Sequence, residues 1–433
     1  MAHDCLQKGR FGCAFHGALR TALEIPGIVP VVHSNGGCAQ QGSLSDYGAG
    51  LGYGFHGGLE IPSTNVLERH VVFGGGSRLR EQIKNSSKVV NAELYAVLSG
   101  CESAMVGDDI PAMVKEAVGQ GIPVFGSETA GFKGLPHAGY EVFMDNLIRA
   151  LPLVSDSKEA APSGQGVSVN LFGIIPGVNI HFQNDLSELS FLLNGIGVSS
   201  NYLFNENGWS QLCRLPEASL SLVFSKWGVQ AAKRLKELFG VPWLLIPDIP
   251  VGPGAVSEFL KTVGEALHLP LEKIEEYSGK REREFQHIFQ RIYDYYYPED
   301  IRKSVTIVSD ENYGRGYGDF LSRYLGANTV QIIPADHQEK GQPPTASQQW
   351  DVSSGSQFIL GSSLESRLGD KRQMASLAVE YPLENQIVLG STYIGINGAL
   401  RLTEEYISTI IRYNRKQQQK SAQFLFESDI FGV

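Results

Sequence analysis

Five cysteines are the residues of this chain whose type is best suited to metal chemistry: Cys5, Cys13, Cys38, Cys101 and Cys213. No two of them form a Cys-x-x-Cys pair, and an odd number at wide spacings is not typical of a disulfide framework. Two interpretations therefore stay open from spacing alone. The cysteines are either small buried thiols or ligands of a metal, and their surroundings must decide between these.

Three of the cysteines share a local setting. Cys13 stands just before a helical pattern, Cys38 closes a glycine-rich segment after the apolar run Ile28–Val32, and Cys101 follows the apolar run Leu94–Leu98. Loops that follow the strands of a parallel sheet meet at one edge, and glycines let the backbone approach a bulky group. A helix that begins beside a cysteine also stabilises its thiolate. The sequence therefore predicts one shared site.

The chemistry of that site stays open at this point. Free cysteines are among the most buried residue types, so three core thiols in tight loops would explain the pattern equally. A zinc ion would require a fourth ligand, for which His33 or His16 stands nearby in the sequence.

The elements that position these residues are indicated by alternating apolar runs and amphipathic helical patterns. The runs are continuous, as expected for strands buried on both faces. Such alternation is typical of βαβ units with parallel sheets, so we predict an α/β fold of Rossmann-like units flanked by helices. Besides the two runs named above, the predicted strands cover Pro123–Phe125, Val167–Ile174, Ser219–Ser225, Pro242–Ile246, Val305–Ser309, Val330–Pro334, Gln357–Gly361 and Ile387–Leu389.

Two regions are predicted to separate domains. Residues 155–166 are polar and contain proline and glycine, as in a linker, and Glu272–Tyr297 reads as one long helix before a new strand. We therefore predict a cluster-binding domain of residues 1–158, a second α/β domain of residues 159–300, and a third of residues 301–433. The helix at 399–419 is predicted to pack back on the body of the protein, and residues 338–355 to form a mobile polar loop.

Composition excludes several classes of function. The 433 residues are 42% hydrophobic and 19% charged, which describes a globular protein with much to bury. The formal charge of −10 argues against a nucleic-acid surface. No apolar run has the length of a membrane span or of a signal peptide, so we expect a cytoplasmic protein without membrane contact.

Four segments resemble sequence elements of nitrogenase component 1 proteins, in the same order and at similar spacing. Residues 33–38 (HSNGGC) and 71–76 (VVFGGG), the latter after Glu68, are similar to two glycine-rich elements of that family. Residues 99–110 (SGCESAMVGDDI) and 128–134 (ETAGFKG) are similar to the two elements that follow. Weaker similarity extends through nearly the whole chain.

The resemblance implies an oxidoreductase subunit in which Cys13, Cys38 and Cys101 bind a P-cluster or a simpler [4Fe–4S] cluster. Three thiolates are one short of the four that such clusters usually have. The resemblance therefore also implies that a partner subunit supplies the remaining ligands across an interface.

Within the family the chain resembles beta-type subunits. Alpha-type subunits bind the active-site cofactor through a cysteine and a histidine; the corresponding cysteine position is Phe224 here, and no histidine follows residue 337. The resemblance implies a hetero-oligomer with an alpha-type partner and an ATP-dependent iron protein that delivers electrons. The short segment before Cys13 favours a nitrogenase-like reductase over the dinitrogen-reducing enzyme. The alternative is a scaffold for assembly of a nitrogenase metallocofactor.

The remaining candidates are weaker. Cys213 is predicted to be a core thiol near Trp209, and Cys5 has no assigned role. The adjacent acids Asp108 and Asp109 precede a predicted helix, so we interpret them as helix caps rather than as paired catalytic carboxylates. The segment 314–318 (GRGYG) lacks the spacing of a nucleotide loop, and we predict a turn that opens a helix.

Overall fold

The computed structural model describes residue 10 and residues 12–40, 61–154, 166–296, 298–337, 355–384 and 386–431, with side chains to residue 420. The described chain divides into two compact units. The N-terminal unit extends to Pro247, and the C-terminal unit begins at Asp248. The predicted linker at 155–166 and the predicted loop at 338–355 lie almost wholly outside the described residues, as does Cys5.

The N-terminal unit begins with a three-stranded parallel sheet in the order β1-β2-β3. The bounds of its elements are α1 Ala14–Leu23, β1 Ile28–His33, α2 Glu68–Phe73, α3 Gly76–Val89, β2 Leu94–Ser99, α4 Cys101–Val106, α5 Ile110–Gly119, β3 Val124–Ser127 and α6 Pro136–Ala150. Every residue of β1 and β2 is buried. Helices cover both faces of the sheet, which is why these strands read as continuous apolar runs.

Different pairs of helices cover the two faces of this sheet. On one face, α3 and α5 contribute Leu79, Ile83 and Ala117 to a core with Val31 and Val97 of the strands. On the other face, α1 packs tightly against α6.

A second parallel sheet completes the N-terminal unit, with the order β5-β4-β6-β7. Its elements are β4 Ser168–Phe172, α7 Phe182–Asn194, β5 Ser199–Asn201, α8 Gly208–Arg214, β6 Leu220–Val223, α9 Val229–Phe239 and β7 Trp243–Leu245. Helix α6 also packs against α9 and so contacts helices of both sheets.

The C-terminal unit contains a third parallel sheet in the order β11-β10-β8-β9. Its elements are α10 Gly252–Ala266, α11 Leu271–Phe289, α12 Tyr293–Tyr296, β8 Ser304–Ser309, α13 Glu311–Leu325, β9 Asn328–Pro334, β10 Phe358–Gly361, α14 Ser363–Arg372, β11 Ala375–Ala378 and α15 Gly395–Phe431. Helix α15 packs against α10 of the same unit. Three parallel sheets flanked by helices confirm the predicted fold class. The three predicted domains, with boundaries near 158 and 300, stay a prediction.

Two local predictions were wrong. Residues Ile387–Leu389 form no strand, and Ile387 is 80% exposed and Leu389 77% exposed. The segment 314–318 lies inside α13 and is neither a loop nor a turn. The helix predicted at 272–297 is helical from Leu271 to Tyr296, as α11, the 3-10 turn Gln290–Ile292 and α12. The strands β5 and β11 had not been predicted.

Candidate iron–sulfur site

The three candidate cysteines all lie at the carboxyl edge of the first sheet. Cys101 comes directly after β2 and is the first residue of α4. Cys38 lies in a helical turn of residues 36–40, shortly after β1. Cys13 is the residue that precedes α1. A helix therefore begins beside Cys13 and Cys101, as predicted, and its amide groups favour negative charge on the sulfur atom.

A glycine marks the point where two of the thiols converge. A methyl group on Gly131 would lie 2.8 Å from Sγ of Cys13 and 3.1 Å from Sγ of Cys101. Both sulfur atoms are therefore within 3.1 Å of one point, beside a backbone that has no side chain. Gly131 belongs to the segment that follows β3, so three loops of the sheet meet here.

The third thiol is positioned by a small polar network. The Ser34 hydroxyl donates to Oε2 of Glu102 at 2.8 Å, and the Asn35 amide donates to the other carboxylate oxygen. The Asn35 side chain in turn accepts from the backbone N–H of Cys38 at 3.1 Å. Because Glu102 follows Cys101 directly, this network fixes the loop that carries Cys38 relative to Cys101.

The surroundings of each thiol contain some groups that raise its pKa and others that lower it. Burial raises the pKa of Cys38, the hydrogen bond with Ser34 acts to lower it, and the negative charges of Glu102, Cys13 and Cys101 act to raise it. Burial also raises the pKa of Cys13, while the backbone N–H groups of His16 and Phe15 act to lower it. Metal binding requires the thiolate form, so a cation such as iron would compete with protons for these sulfur atoms.

His16 is the imidazole of this site. Its Nδ1 is 3.2 Å from Sγ of Cys13. Burial lowers the pKa of His16, the charge of Arg20 lowers it further, and the backbone carbonyl of Cys38 acts in the opposite direction. The ring also meets Phe15 edge-on, with 5.3 Å between the ring centroids.

Cys13 is held in place by the contact between α1 and α6. A methyl group on Gly17 or on Gly139 would overlap backbone atoms of the other helix, so only glycine fits at this crossing. The backbone N–H of Ala14 also donates to the carbonyl of Gly134 at 2.8 Å. The first turn of α1 is therefore fixed to the segment that contains Gly131.

A second network lies behind the cysteines and contains His33. Its Nε2 is 3.0 Å from Oδ2 of Asp108, and its Nδ1 is 3.1 Å from the Thr64 hydroxyl. The other oxygen of Asp108 accepts from the backbone N–H of Gly75 at 2.7 Å. The pKa of His33 is lowered by burial, against the charge of Asp108. This network connects the end of β1 to the loops beside α3 and α5. His33 therefore has a structural role.

The two adjacent acids, Asp108 and Asp109, have different roles in the structure. Asp109 caps α5, because its side chain accepts from the backbone N–H of Ala112 at 3.0 Å. Asp108 does not cap a helix; it pairs with His33 instead. No spacing in the sequence indicates this pair, because His33 and Asp108 are 75 positions apart in the chain.

The surface around Cys101 is apolar and exposed. Helix α2 has no buried residue, and it packs against α4. Val72 is 72% exposed, Phe73 87% and Met105 79%. We call these three residues the apolar rim. An apolar group of this kind beside a polar site is typical of a surface that another protein covers.

The donor set fits an iron–sulfur cluster better than a single ion. Among the described residues, no three His, Cys, Asp or Glu side chains converge closely enough to bind one metal ion. In a cluster each thiolate binds a different iron, so the sulfur atoms need only surround a common volume. The described cysteines are free thiols, and Gly131 has no side chain at the point that the sulfur atoms of Cys13 and Cys101 approach.

Comparison with known proteins gives the family. The family described as "Nitrogenase component 1 type Oxidoreductase" matches residues 13–411. The chain belongs to the nitrogenase component 1 family. The matched region includes all three cysteines of the site.

Individual relatives come from more than one branch of this family. A nitrogenase molybdenum-iron protein alpha chain of Methanococcus maripaludis is 27% identical over 76% of this chain and 69% of its own length. A beta chain of Frankia alni is 27% identical over 40% of this chain and 32% of its own length. The cofactor biosynthesis protein NifE of Nostoc is 24% identical over 54% of this chain and 47% of its own length. The chain thus spans about half the length, or less, of most of these relatives.

The fold agrees with a solved member of the family. The structure described as "Nitrogenase Cp1 at pH 6.5" superimposes with a TM-score of 0.73 over 94% of this chain and 93% of that chain, at 18% identity. None of the helices in the described part of the chain has the length and apolar character needed to cross a bilayer.

In this component 1 protein the fourth described cysteine lies away from the other three. Cys213 is half-buried. Burial raises the pKa of its thiol, and the negative charge of Glu93 raises it further. Glu93 precedes β2, whereas Cys101 follows it, so Cys213 lies towards the opposite end of the sheet. A strand of six residues spans about 20 Å. Phe224, at the end of β6, is fully buried.

Several residues of the site were not found from the sequence. Gly131, Ser34, Asn35 and Glu102 all lie within the motifs that carried the resemblance, yet nothing in their types indicated which would contact a thiol. His16 was considered only as a zinc ligand. Its position one helical turn after Cys13 was the available signal.

Proposed function

We propose that the chain is a beta-type subunit of a nitrogenase-like reductase, and that Cys13, Cys38 and Cys101 bind an iron–sulfur cluster that relays electrons. The electrons would come from an ATP-dependent iron protein and pass to an active site in an alpha-type partner. The observation that carries the proposal is that the free thiols of Cys13 and Cys101 meet beside Gly131, while the Glu102 network holds the loop of Cys38 next to Cys101 at the same sheet edge.

The residues of this chain would have distinct tasks in the relay. The three thiolates would hold the cluster, and the cluster would supply a site that takes up and releases single electrons. The Glu102 network would keep Cys38 in the geometry for binding. The buried helices α1 and α6 would exclude water from one side, which slows oxidation of the sulfur atoms.

A partner subunit is part of the proposal. Three thiolates leave the usual set of four ligands incomplete. Cys213 lies too far away to complete it, and Cys5 lies outside the described residues. A partner would supply the missing ligands and cover the apolar rim, which explains why Val72, Phe73 and Met105 are exposed in the single chain. We therefore propose a hetero-oligomer with an alpha-type subunit, located in the cytoplasm.

The beta-type assignment depends on a second region. Phe224 occupies the position at which the resemblance expects the cofactor cysteine of an alpha-type subunit, and no histidine follows residue 337. A buried phenylalanine has no atom that binds a metal. The active site would therefore lie in the partner, which also makes the substrate a property of the partner.

A second candidate is a scaffold on which a nitrogenase cofactor is assembled. The similarity to the NifE protein of Nostoc favours it. A scaffold would bind a cofactor precursor and pass it on, whereas a relay would keep its cluster and change only its oxidation state. Reduction by the iron protein with ATP, followed by the loss of that electron to the partner, would support the relay. Transfer of iron from the chain to an acceptor protein would support the scaffold.

The decisive test is iron binding by two cysteine variants. Cys38→Ala and Cys213→Ala are each purified with the alpha-type partner, and iron and sulfide are measured per chain. We expect Cys38→Ala to lose most of its iron and its electron transfer while its circular dichroism is unchanged, because one thiolate is removed from a loop. Cys213→Ala should keep the iron of the unmodified chain. Equal iron in Cys38→Ala and the unmodified complex would refute the proposal.

A further inference from the structure

The ring of His16 lies against the sulfur atom of Cys13 for reasons built into α1. Cys13 precedes the helix and His16 is its third residue, so the two side chains lie on the same face one turn apart. The distance from Nδ1 to Sγ is 3.2 Å, which is short for a hydrogen bond that involves sulfur. The edge-on contact with Phe15, which is fully buried, limits rotation of the ring.

The direction of this hydrogen bond follows from the proposed function, on which the inference rests. A cysteine that binds iron is a thiolate and has no proton to donate. In the tautomer that carries its proton on Nδ1, the imidazole donates this N–H to the sulfur atom. Hydrogen bonds to the sulfur ligands are among the features by which a protein sets the reduction potential of an iron–sulfur cluster.

We propose that His16 is a positioning residue that donates a hydrogen bond to the Cys13 thiolate and thereby raises the reduction potential of the relay cluster. Reduction adds one electron, taken from the iron protein, to the cluster. No bond forms or breaks at His16, and no proton moves. The added negative charge spreads over the sulfur atoms, so the Nδ1–H group stabilises the reduced state more than the oxidised state.

The test measures the midpoint potential of the cluster in the purified hetero-oligomer. The variants are His16→Ala, which removes the donor, and His16→Asn, whose side-chain amide places an N–H group at the position of Nδ1. His287, exposed on α11, provides the control variant His287→Ala. Each complex is titrated with dithionite while the electron paramagnetic resonance signal of the reduced cluster is followed.

We expect His16→Ala to keep its iron and to have a lower midpoint potential. A loss of about tenfold in the relative stability of the reduced state corresponds to about 59 mV for one electron. His16→Asn should restore most of the shift, and His287→Ala should show none. A midpoint in His16→Ala equal to that of the unmodified complex would overturn the inference.

Three further outcomes would overturn either this inference or the proposed function. Loss of iron in His16→Ala, comparable to that in Cys38→Ala, would mean that His16 is a ligand and would overturn the tuning role while leaving a cluster in place. Absence of iron from the unmodified complex would overturn the proposed function itself. A lower potential in both His16→Ala and His16→Asn would assign the effect to packing of the ring and not to its N–H group, and would also overturn the inference.

Discussion

The two sheets of the N-terminal unit present very different carboxyl edges. At the first edge, two thiols meet beside Gly131, and a carboxylate network holds the loop that bears the third. At the second edge, the loop after β4 and the loop after β6 close on each other: the Ser225 hydroxyl donates to the carbonyl of Gly173 at 2.7 Å. A methyl group on Gly173 would lie 2.6 Å from the nitrogen of Ser225, and the side chain of Phe224 is fully buried beside them.

The two edges have the same architecture, since both sheets are parallel and both are covered by helices. What differs is the residue that directly follows each strand. A glycine and a cysteine after β2 leave a half-buried thiol, whereas a phenylalanine after β6 fills its own site with carbon. The fold therefore provides an edge at which a ligand can bind, and the first residues of the loops decide whether one does.

The largest effect expected from a single methyl group is at the first edge. Gly131→Ala would place a carbon atom 2.8 Å and 3.1 Å from two sulfur atoms, so both thiols would have to turn away. We expect the complex to lose most of its iron with little change in its unfolding temperature. Iron analysis and thermal unfolding would measure this. The matched control is Gly119→Ala on α5, where a methyl group meets no atom within 4 Å; an equal loss of iron there would contradict the explanation.

The opposite pattern is expected at the second edge. Phe224→Ala should remove a fully buried ring and leave a cavity, which costs about 3–5 kcal/mol of unfolding free energy. The iron content of the complex should stay unchanged, because Phe224 is not a ligand in our proposal. Chemical denaturation would measure the unfolding free energy, and iron analysis would measure the iron content of the same sample. A loss of iron at denaturant concentrations where the fold is intact would mean that the edges are coupled.

The adjacent acids provide a pair of matched variants, of which Asp109→Ala has the smallest expected effect in this series. Asp108→Ala would leave His33 and the backbone N–H of Gly75 without their partner, at a cost of about 1–3 kcal/mol for each buried group. Asp109→Ala would remove a helix cap, which costs about 1 kcal/mol. Equilibrium unfolding should therefore rank Asp108→Ala as the less stable variant. The reverse order would show that the His33 network contributes little.

The strands and the general position of the site could be predicted because both depend on patterns that are local in sequence. Continuous apolar runs identify strands buried on two faces, and cysteines that follow such runs fall at one edge. The strand β5, with the sequence Ser-Ser-Asn, has no apolar pattern; it pairs with β4, and the Asn201 amide donates to Oδ1 of Asn170 at 3.2 Å. Ile387–Leu389 is the opposite case, an apolar run that forms no strand.

The details of the site depend on the direction of side chains, which the sequence does not contain. The contact between His16 and Cys13 could be proposed from the helical spacing, but the contact of Gly131 with two sulfur atoms requires three loops in their folded positions. Asp108 is the clearest case. Its neighbour Asp109 has the ordinary role of an acid before a helix, and only the tertiary structure brings His33 to Asp108.

The glycine contact between α1 and α6 also has a consequence for native-state hydrogen exchange. Because the backbones of α1 and α6 touch at Gly17 and Gly139, we expect the two helices to open as one unit. Their amide protons should therefore exchange together and slowly. Helix α2, which has no buried residue, and the turn at 36–40 should open more often. Cys13 would then stay in place while the loop that bears Cys38 opens. That local opening would give iron and sulfide an entry route that does not require the sheet to unfold.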